Sequence, residues 1–326
     1  MKARTGLRTP LLTTVFTLLA ATLCLGAAPL QKTQAPGFYR MMVGDFEVTA
    51  LSDGTNSLPV AALLRNVSAG ELKKQLAAAF LKDPVETSFN AFLVNTGSKL
   101  VLIDTGAGTL MGPGTGHLLA NLQAAGYQPE QVDEVYLTHM HGDHIGGMIT
   151  GDERTFPNAV VRADSKEAKY WLNAQEMNRA PKEARGQFEA AQNHFNPYVA
   201  SGQFQTFDGA AAGARGVTLV PGIRALATHG HTPGHTSYMI ESHGAKLLVL
   251  GDLVHVSAVQ LPKPAVGIRF DIDPPAAIEQ RAHVFADAAA QGYWVAGAHL
   301  SFPGIGHLRR AGAGYVWLPV NYGTQF

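Results

Sequence analysis

Short apolar runs alternate along the chain with segments whose apolar residues have helical spacing, and this pattern predicts a mixed α/β fold. Alternation of apolar and polar positions predicts a first strand over residues 46–51, ended by the Ser-Asp-Gly triplet 52–54. The runs 91–94 and 100–103 flank an Asn-Thr-Gly turn and predict a hairpin. Further strands are predicted at residues 135–137, 159–162, 223–227, 237–240, 246–250 and 293–297.

Helical spacing recurs between these strands. Ser68 and Glu71 form a capping-box pattern that opens a helix ending near Phe80, and Asp164 or Ser165 caps another helix. Further helices are predicted at 116–125, 182–193 and 274–290, and an irregular arm is predicted at 29–38. Strands followed by helices occur twice. This order favours two sheets packed face to face, with helices outside and a site along one edge.

The first residues have the pattern of a signal peptide rather than of the fold. Lys2, Arg4 and Arg8 precede an apolar stretch over 11–25, which is short for a bilayer span, and small residues follow it. We therefore expect a signal peptide over residues 1–28 and a single mature domain over 29–326. The expected location is periplasmic or secreted, with no membrane contact after cleavage. A retained anchor is the alternative.

Composition narrows the partners and the chemistry. The 326 residues are 46% hydrophobic and 15% charged, with a formal net charge of zero and no basic tract, so nucleic acid is not an expected partner. Loss of the three basic leader residues changes the 25 basic residues to 22, against 25 acidic ones. The single cysteine, Cys24, lies in the predicted leader. The mature chain would then have no disulfide, thiolate ligand or cysteine nucleophile.

The densest chemical signal is the segment 138–144, Thr-His-Met-His-Gly-Asp-His, which follows the predicted strand 135–137. Side chains two positions apart in extended backbone point to one side, so His139 and His141 can bind one metal ion. Beyond the bend, Asp143 and His144 can bind a second ion. A polar loop with solvated histidines is the plain alternative, but three further segments argue against it.

These three segments each place a potential ligand after an apolar run. They are the turn 229–235 with His231 and His235, the pair Gly251-Asp252, and His299. Imidazole and carboxylate ligands suit Zn, and also Mn, Fe or Co. We expect two divalent ions, with Zn foremost.

The order HxHxDH, HTPGH, GD and AH resembles the metallo-β-lactamase superfamily over essentially the whole mature chain. The resemblance implies an αββα sandwich of two mixed sheets. It also implies that His139, His141 and His235 bind one ion, that Asp143, His144 and His299 bind the other, and that Asp252 bridges them. His231 is then expected behind the ligands, and Asp104 resembles the buried carboxylate that orients a ligand histidine. An aspartate at 252 and the missing cysteine exclude the cysteine-ligand β-lactamases.

Longer runs, among them 37–41, 93–100 and 298–307, resemble methyl parathion hydrolase and especially its lactonase relatives, the dihydrocoumarin hydrolases. This resemblance implies a homodimer. It also implies a substrate pocket that includes the residues Leu63, Met111, Trp171, Phe188, His255, Ile268 and Phe270. Core packing is an alternative for Met111, Trp171 and Phe188.

The expected function is hydrolysis of a small-molecule substrate. Aromatic lactones such as dihydrocoumarin, and aryl esters, would be attacked by a water that the two ions activate. Asp252 and Asp143 are the carboxylates expected to take part in catalysis. Weak organophosphate hydrolysis is an expected side activity. The alternatives are a phosphotriesterase, an acyl-homoserine lactonase, and a metal-binding protein without turnover.

Overall fold

A computed structural model of the chain describes residues 28–211 and 213–324. The predicted signal peptide therefore lies outside the described residues, apart from Ala28. Residues 28–35 have no regular secondary structure and belong to a unit separate from the rest of the chain. Among the described helices, none combines the length and the apolar character needed to cross a bilayer.

All strands and helices of the described chain lie between residues 38 and 319. The strands are β1 (Phe38–Val43), β2 (Phe46–Leu58), β3 (Leu64–Arg65), β4 (Val85–Asn95), β5 (Leu100–Ile103), β6 (Glu134–Tyr136), β7 (Ile149–Thr150), β8 (Glu153–Arg154), β9 (Val160–Asp164), β10 (Phe204–Phe207), β11 (Val217–Val220), β12 (Ile223–Ala227), β13 (Thr236–Ser242), β14 (Ala245–Val249), β15 (Gly267–Ile268), β16 (Trp294–Ala296), β17 (Ile305–Ala311) and β18 (Gly314–Pro319). The helices are α1 (Val60–Leu63), α2 (Ala69–Ala78), α3 (Leu118–Ala124), α4 (Gly142–Ile145), α5 (Ser165–Trp171), α6 (Ala174–Arg179), α7 (Lys182–Ala200), α8 (Ser257–Gln260) and α9 (Pro274–Gln291).

Two seven-stranded sheets form the centre of this part of the chain. The first has the order β1-β2-β4-β5-β6-β9-β10 and the second β11-β12-β13-β14-β16-β17-β18. Both are mixed, since β5, β6, β9 and β10 run parallel in the first sheet, and β14 and β16 do so in the second. The short pairs β3–β15 and β7–β8 stand apart from them. The prediction of two mixed sheets is confirmed.

Strand alternation builds the layers. On β5, Val101 and Ile103 belong to the core between the sheets, whereas Leu102 packs in the core beneath α3, α5 and α7. On β14, Val249 faces the other sheet and Leu248 packs beneath α9. Successive side chains of a strand point to opposite faces, so fully apolar strands are expected when both faces are covered. The result is the predicted helix–sheet–sheet–helix arrangement.

The first predicted strand does not end at residues 52–54. β2 continues to Leu58, because the Ser-Asp-Gly triplet forms a bulge opposite β4 instead of a turn. The carboxylate of Asp53 accepts hydrogen bonds from the backbone N–H groups of Ala107, Gly116 and Leu118. The bulge therefore fixes the loop that follows β5.

Most other predicted elements are present, with shifted ends. The helix predicted at 182–193 continues to Ala200 as α7, and the helix opened by Ser68 is α2, whose cap accepts a hydrogen bond from the N–H of Glu71. Several elements are absent from the sequence predictions, among them the strands β1, β10 and β11, the helix α6 and the hairpin β17–β18. Apart from three buried residues near its start, β17 is exposed or half-buried, so it lacks the apolar run by which the other strands were found.

Arg281 of α9 is fully buried and organises the segment after β14. Its guanidinium donates hydrogen bonds to the carbonyl oxygens of Leu253, Pro264 and Val266. Its Nη2 also lies 4.0 Å from Oδ2 of Asp271. Buried carbonyl oxygens are costly to leave without a donor. This one side chain therefore holds the segment 253–271 at three backbone positions and lies next to the carboxylate at its end.

Replacing Arg281 by Met should lower the free energy of unfolding by about 3–5 kcal/mol, since it leaves the carbonyl oxygens of Leu253 and Pro264 without their donor and removes the buried cation next to Asp271. Urea unfolding would measure the loss. Arg310→Met, at an exposed position of β17, is the matched control and should change stability by less than about 0.5 kcal/mol. Equal effects of the two substitutions would contradict this account of Arg281.

Candidate metal centre

The segment 138–144 leaves the sandwich at the end of β6 and supplies four candidate ligands. His139 lies outside any helix or strand, His141 has extended backbone at the N-terminal cap of the single-turn helix α4, and α4 carries Asp143 and His144. Glycine is required just beyond. A β-carbon at Gly146 would lie 1.9 Å from the carbonyl oxygen of Ala107. This tight approach presses the cluster against the loop after β5.

One group of ligand atoms comprises His139, His141, His231 and Asp252, all within 4.8 Å of one another. Nε2 of His139 lies 3.0 Å from Nδ1 of His141, and Nε2 of His231 lies 3.1 Å from the same nitrogen. Oδ2 of Asp252 lies 3.5 Å from His139 and 3.3 Å from His231. Three imidazole nitrogens and one carboxylate oxygen thus converge, as in a tetrahedral site.

The second group comprises Asp143, His144, Asp252 and His299. Nε2 of His144 and Nε2 of His299 both lie 3.2 Å from Oδ1 of Asp252. Oδ2 of Asp143 lies 3.5 Å from His144 and 3.4 Å from His299. Asp252 therefore turns one oxygen to each group, as the family resemblance implies for a bridging residue.

The outward nitrogens of the histidines have partners that fix the rings. Nδ1 of His144 lies 2.8 Å from Oδ2 of Asp104, and Nδ1 of His299 lies 3.1 Å from the carbonyl oxygen of Ser88. Asp104 also accepts hydrogen bonds from the N–H and the hydroxyl of Thr138. This is the contact predicted for Asp104, and such partners direct the other nitrogen toward an ion.

The assignment of the histidines in the turn 229–235 is wrong and must be reversed. Nε2 of His235 accepts the backbone N–H of Asp252 at 3.0 Å, and its Nδ1 lies 2.9 Å from the hydroxyl of Thr228. Both nitrogens of His235 are thus in use. His231 instead turns Nε2 into the first group, while its Nδ1 lies 2.8 Å from Oδ1 of Asp271. His231 is the candidate ligand, and His235 supports the backbone of Asp252.

The residues present fit a pair of cations. Among the described residues, Nε2 of His144 and Oδ1 of Asp252 are buried without any hydrogen-bond partner. Each points into the second group, and each is an expected ligand atom. Such orphaned buried polar atoms are rare and costly unless something binds them.

The charge balance points the same way. Burial lowers the pKa of His139, and it lowers the pKa of His141 to about 3, with His231 adding to that shift. Burial opposes protonation of His231 as well, but Asp252 and Asp271 outweigh it and raise its pKa to about 9. The pKa values of His144 and His299 are raised in the same way by Asp252 and Asp143. The carboxylates of the centre thus attract positive charge, which bound divalent metals would supply in place of protons.

A cavity of about 110 Å³ opens beside the ligands. Of the residues predicted to bind substrate, Met111, His255 and Phe270 line it. His255 stacks on His299 at 5.0 Å, and its Nε2 lies 3.1 Å from Oδ2 of Asp252. The wall of the cavity also contains Gln187 and the apolar side chains of Leu58 and Phe89, for which the sequence predicts no pocket role.

Four predicted pocket residues do not line this cavity. Trp171 and Phe188 are 3% and 1% exposed and pack against each other beneath the first sheet. Ile268 is 1% exposed and pairs with Leu64 in the short β3–β15 sheet, and the half-buried Leu63 packs against the same small core. These four side chains therefore have the packing role that burial usually indicates.

Asp271 and Gln260 are among the supporting residues that the sequence does not predict. Asp271 holds the outward nitrogen of His231, and Gln260 accepts the N–H groups of His255 and Val256. Neither lies in a histidine motif. The only available signal was an acidic residue directly after the predicted wall residue Phe270.

Comparison with known proteins gives one family. The sequence model of the metallo-beta-lactamase superfamily matches residues 87–291. Curated relatives include an N-acyl homoserine lactonase of Bacillus cereus, 28% identical over 129 residues, which are 40% of this chain and 41% of that protein. A lactamase-like protein of Trichophyton rubrum is 27% identical over 51% of this chain and 38% of its own length. The chain thus aligns with less than half of each of these two relatives.

Solved structures match over nearly the whole described fold. The crystal structure of AbOPH, a hydrolase in the beta lactamase superfamily, is 38% identical with a TM-score of 0.84, covering 90% of this chain and 100% of that one. AidC, a dizinc quorum-quenching lactonase in complex with the product N-hexanoyl-L-homoserine, is 28% identical with a TM-score of 0.80 and covers 88% and 99%.

The reversed histidine assignment predicts different metal contents for two variants. His231→Ala removes a donor from the first group and should lower the affinity for one ion enough that dialysed protein retains about half the wild-type metal. His235→Ala, the matched control in the same turn, should retain more metal, since it removes no ligand atom. Elemental analysis after dialysis measures both. Loss of an ion from His235→Ala alone would restore the original assignment.

Proposed function

The chain belongs to the metallo-beta-lactamase superfamily of metal-dependent hydrolases, and on that premise we propose that it opens aromatic lactones and cleaves aryl esters. Dihydrocoumarin is the model substrate. The observation that carries the proposal is Asp252, whose two oxygens face two complete ligand groups beside a small, largely apolar cavity.

Two divalent ions, when bound, would supply the Lewis acidity that lowers the pKa of water and polarises an ester carbonyl. His139, His141, His231 and Asp252 would hold one, and Asp143, His144, His299 and Asp252 would hold the other. Zinc is the metal we propose. The donors are nitrogen and carboxylate oxygen only, and a relative 28% identical to this chain is described as a dizinc enzyme.

Asp252 and Asp143 would act as carboxylates rather than as acids. Burial alone would raise their pKa values, but His144 and His299 outweigh it and lower the pKa of both groups. Both side chains are therefore ionised at neutral pH. They would help to hold the ions and to orient the attacking water, whose proton would pass by way of Asp252 to the departing phenolate, a leaving group that needs no strong acid.

The shape of the cavity supports a compact, flat substrate. At about 110 Å³ it is smaller than the pockets that enclose drug-sized ligands. Phe89, Met111 and Phe270 offer apolar faces to an arene. His255 narrows the side next to Asp252. A planar ester fits such a slot better than a phosphotriester, which is tetrahedral from the start.

Acyl-homoserine lactone hydrolysis is a second candidate. The curated relative of Bacillus cereus carries that activity in its name, and AidC holds the product of such a substrate. A lactone ring could sit at the same carboxylate pair with its acyl chain leaving through the cavity mouth. Phosphotriester hydrolysis stays a side activity in this proposal.

Location and assembly belong to the same proposal. The leader predicted from the sequence would deliver the enzyme to the periplasm or outside the cell, where a small-molecule substrate is its only proposed partner. The resemblance to the lactonases implies a homodimer, which light scattering of the mature chain would test.

A substrate panel tests the proposal directly. Zinc-loaded protein should show a kcat/KM for dihydrocoumarin at least about tenfold above that for methyl parathion, a difference of ~1.4 kcal/mol in barrier. N-hexanoyl-homoserine lactone should rank below dihydrocoumarin. Chelation should abolish turnover, and zinc should restore it. A higher efficiency on the phosphotriester would reverse the ranking, and full activity after thorough chelation would end the metal proposal.

The cavity wall should control the choice between esters. Phe270→Leu combined with His255→Leu widens the slot, so the ratio of phosphotriester to lactone efficiency should rise about tenfold or more, in line with the ~1–3 kcal/mol that small changes in pocket volume are worth. Phe302→Leu is the matched control, because Phe302 is as exposed as Phe270, at 37%, and does not line the cavity. An unchanged ratio in the double variant would contradict a role for this wall.

A further inference from the structure

Glu167 is a buried carboxylate that the proposed reaction does not use. It lies in α5 and is 1% exposed. Its Oε1 accepts hydrogen bonds from the backbone N–H of Met140 at 2.8 Å and from Nε1 of Trp171 at 2.7 Å. Its Oε2 accepts the backbone N–H of Gly234 at 2.8 Å. A buried ionisable group with both oxygens engaged requires a reason.

The two backbone donors belong to the two loops that supply the first ligand group. Met140 stands between His139 and His141, and Gly234 belongs to the turn 229–235, which carries His231. These loops are far apart in sequence, and where they begin and end the N–H of Thr236 donates to the carbonyl oxygen of Thr138. Glu167 connects them through a single side chain.

The packing around Glu167 is equally close. A β-carbon at Gly234 would lie 2.3 Å from the backbone nitrogen of Glu167 and 2.6 Å from its Cβ, so only glycine allows the turn to rest on α5. Trp171, held by the same carboxylate, meets the ring of His141 edge-on at 5.4 Å. The position of His141 is thus fixed from two sides.

The second ligand group has other supports. Asp104 holds His144, and the carbonyl of Ser88 holds His299. Within the described residues, Glu167 makes no hydrogen bond to any member of this group. Its influence should therefore be confined to one of the two proposed ions.

We propose that Glu167 is a positioning residue that sets the geometry of the ion site formed by His139, His141 and His231, without contacting that ion. The inference rests on the proposed dinuclear centre. Only a carboxylate fits this role. A carboxamide has one accepting oxygen, and its NH2 would face an N–H donor of one of the two loops.

Metal titration of the purified mature chain tests the proposal. Metal-free protein is titrated with Zn²⁺ against a chromophoric chelator, which resolves two affinities in the wild type. Glu167→Gln should weaken one of them by about 10–100-fold, the usual effect of losing a partner behind a ligand, and leave the other within a few-fold. Two unchanged affinities, or equal weakening of both, would overturn the proposal.

Two control variants show whether the loss of Zn²⁺ affinity in Glu167→Gln comes from the lost loop contacts, from a general loss of stability, or from altered packing of Trp171. Glu134→Gln changes another buried glutamate, on β6, which pairs with Arg162 instead of a ligand loop and should keep both affinities. Trp171→Phe removes one donor but leaves both loop contacts, so it should weaken the affinity by only a few-fold. If it matches Glu167→Gln, the ring and not the carboxylate sets the site, and the proposal fails. A wild type that binds fewer than two ions overturns the proposed function as well.

Discussion

The structure depends on one buried carboxylate that serves two sites at once. Asp252 is 3% exposed, and its oxygens face five imidazoles from four segments of the chain. A buried carboxylate stays ionised at tolerable cost only when opposite charge, from protonated side chains or a metal ion, is paired with it. The strand ends, the glycine contacts and the supporting side chains all serve to bring that opposite charge to one point.

The scaffold achieves this with two kinds of support. Rigid strands bring the ligands to the sheet edge, since β6, β14 and β16 each end shortly before a candidate ligand. Buried polar side chains then fix the loops that follow. Asp104, Glu167, Asp271 and Arg281 each bond to a loop that bears a ligand or to a ligand itself. Irregular backbone can hold a precise constellation because these groups replace the missing ladder of a sheet.

The two-sheet architecture and most residues of the two ligand groups are predictable from the sequence. Apolar strands next to histidines were visible because strand periodicity and ligand chemistry leave local patterns. The sequence does not show which histidine of the turn 229–235 is the ligand. His231 and His235 are chemically identical, and their roles depend on which ring accepts the backbone N–H of Asp252. The prediction of the residues that line the cavity was partly wrong for a related reason. Trp171, Phe188 and Ile268 are apolar both in a core and in a pocket, and only the packed fold distinguishes the two.

The contact between Asp271 and His231 has a consequence for how such a protein can change over generations. Asp271 directly follows Phe270, so the residue that borders the substrate and the residue that orients a candidate ligand share one turn. A substitution that reshapes the cavity wall at Phe270 can shift that turn and lower the affinity of the first ligand group for a metal ion. Selection for a new substrate would then favour compensating changes at Arg281 or its neighbours, and the order in which they arise would matter.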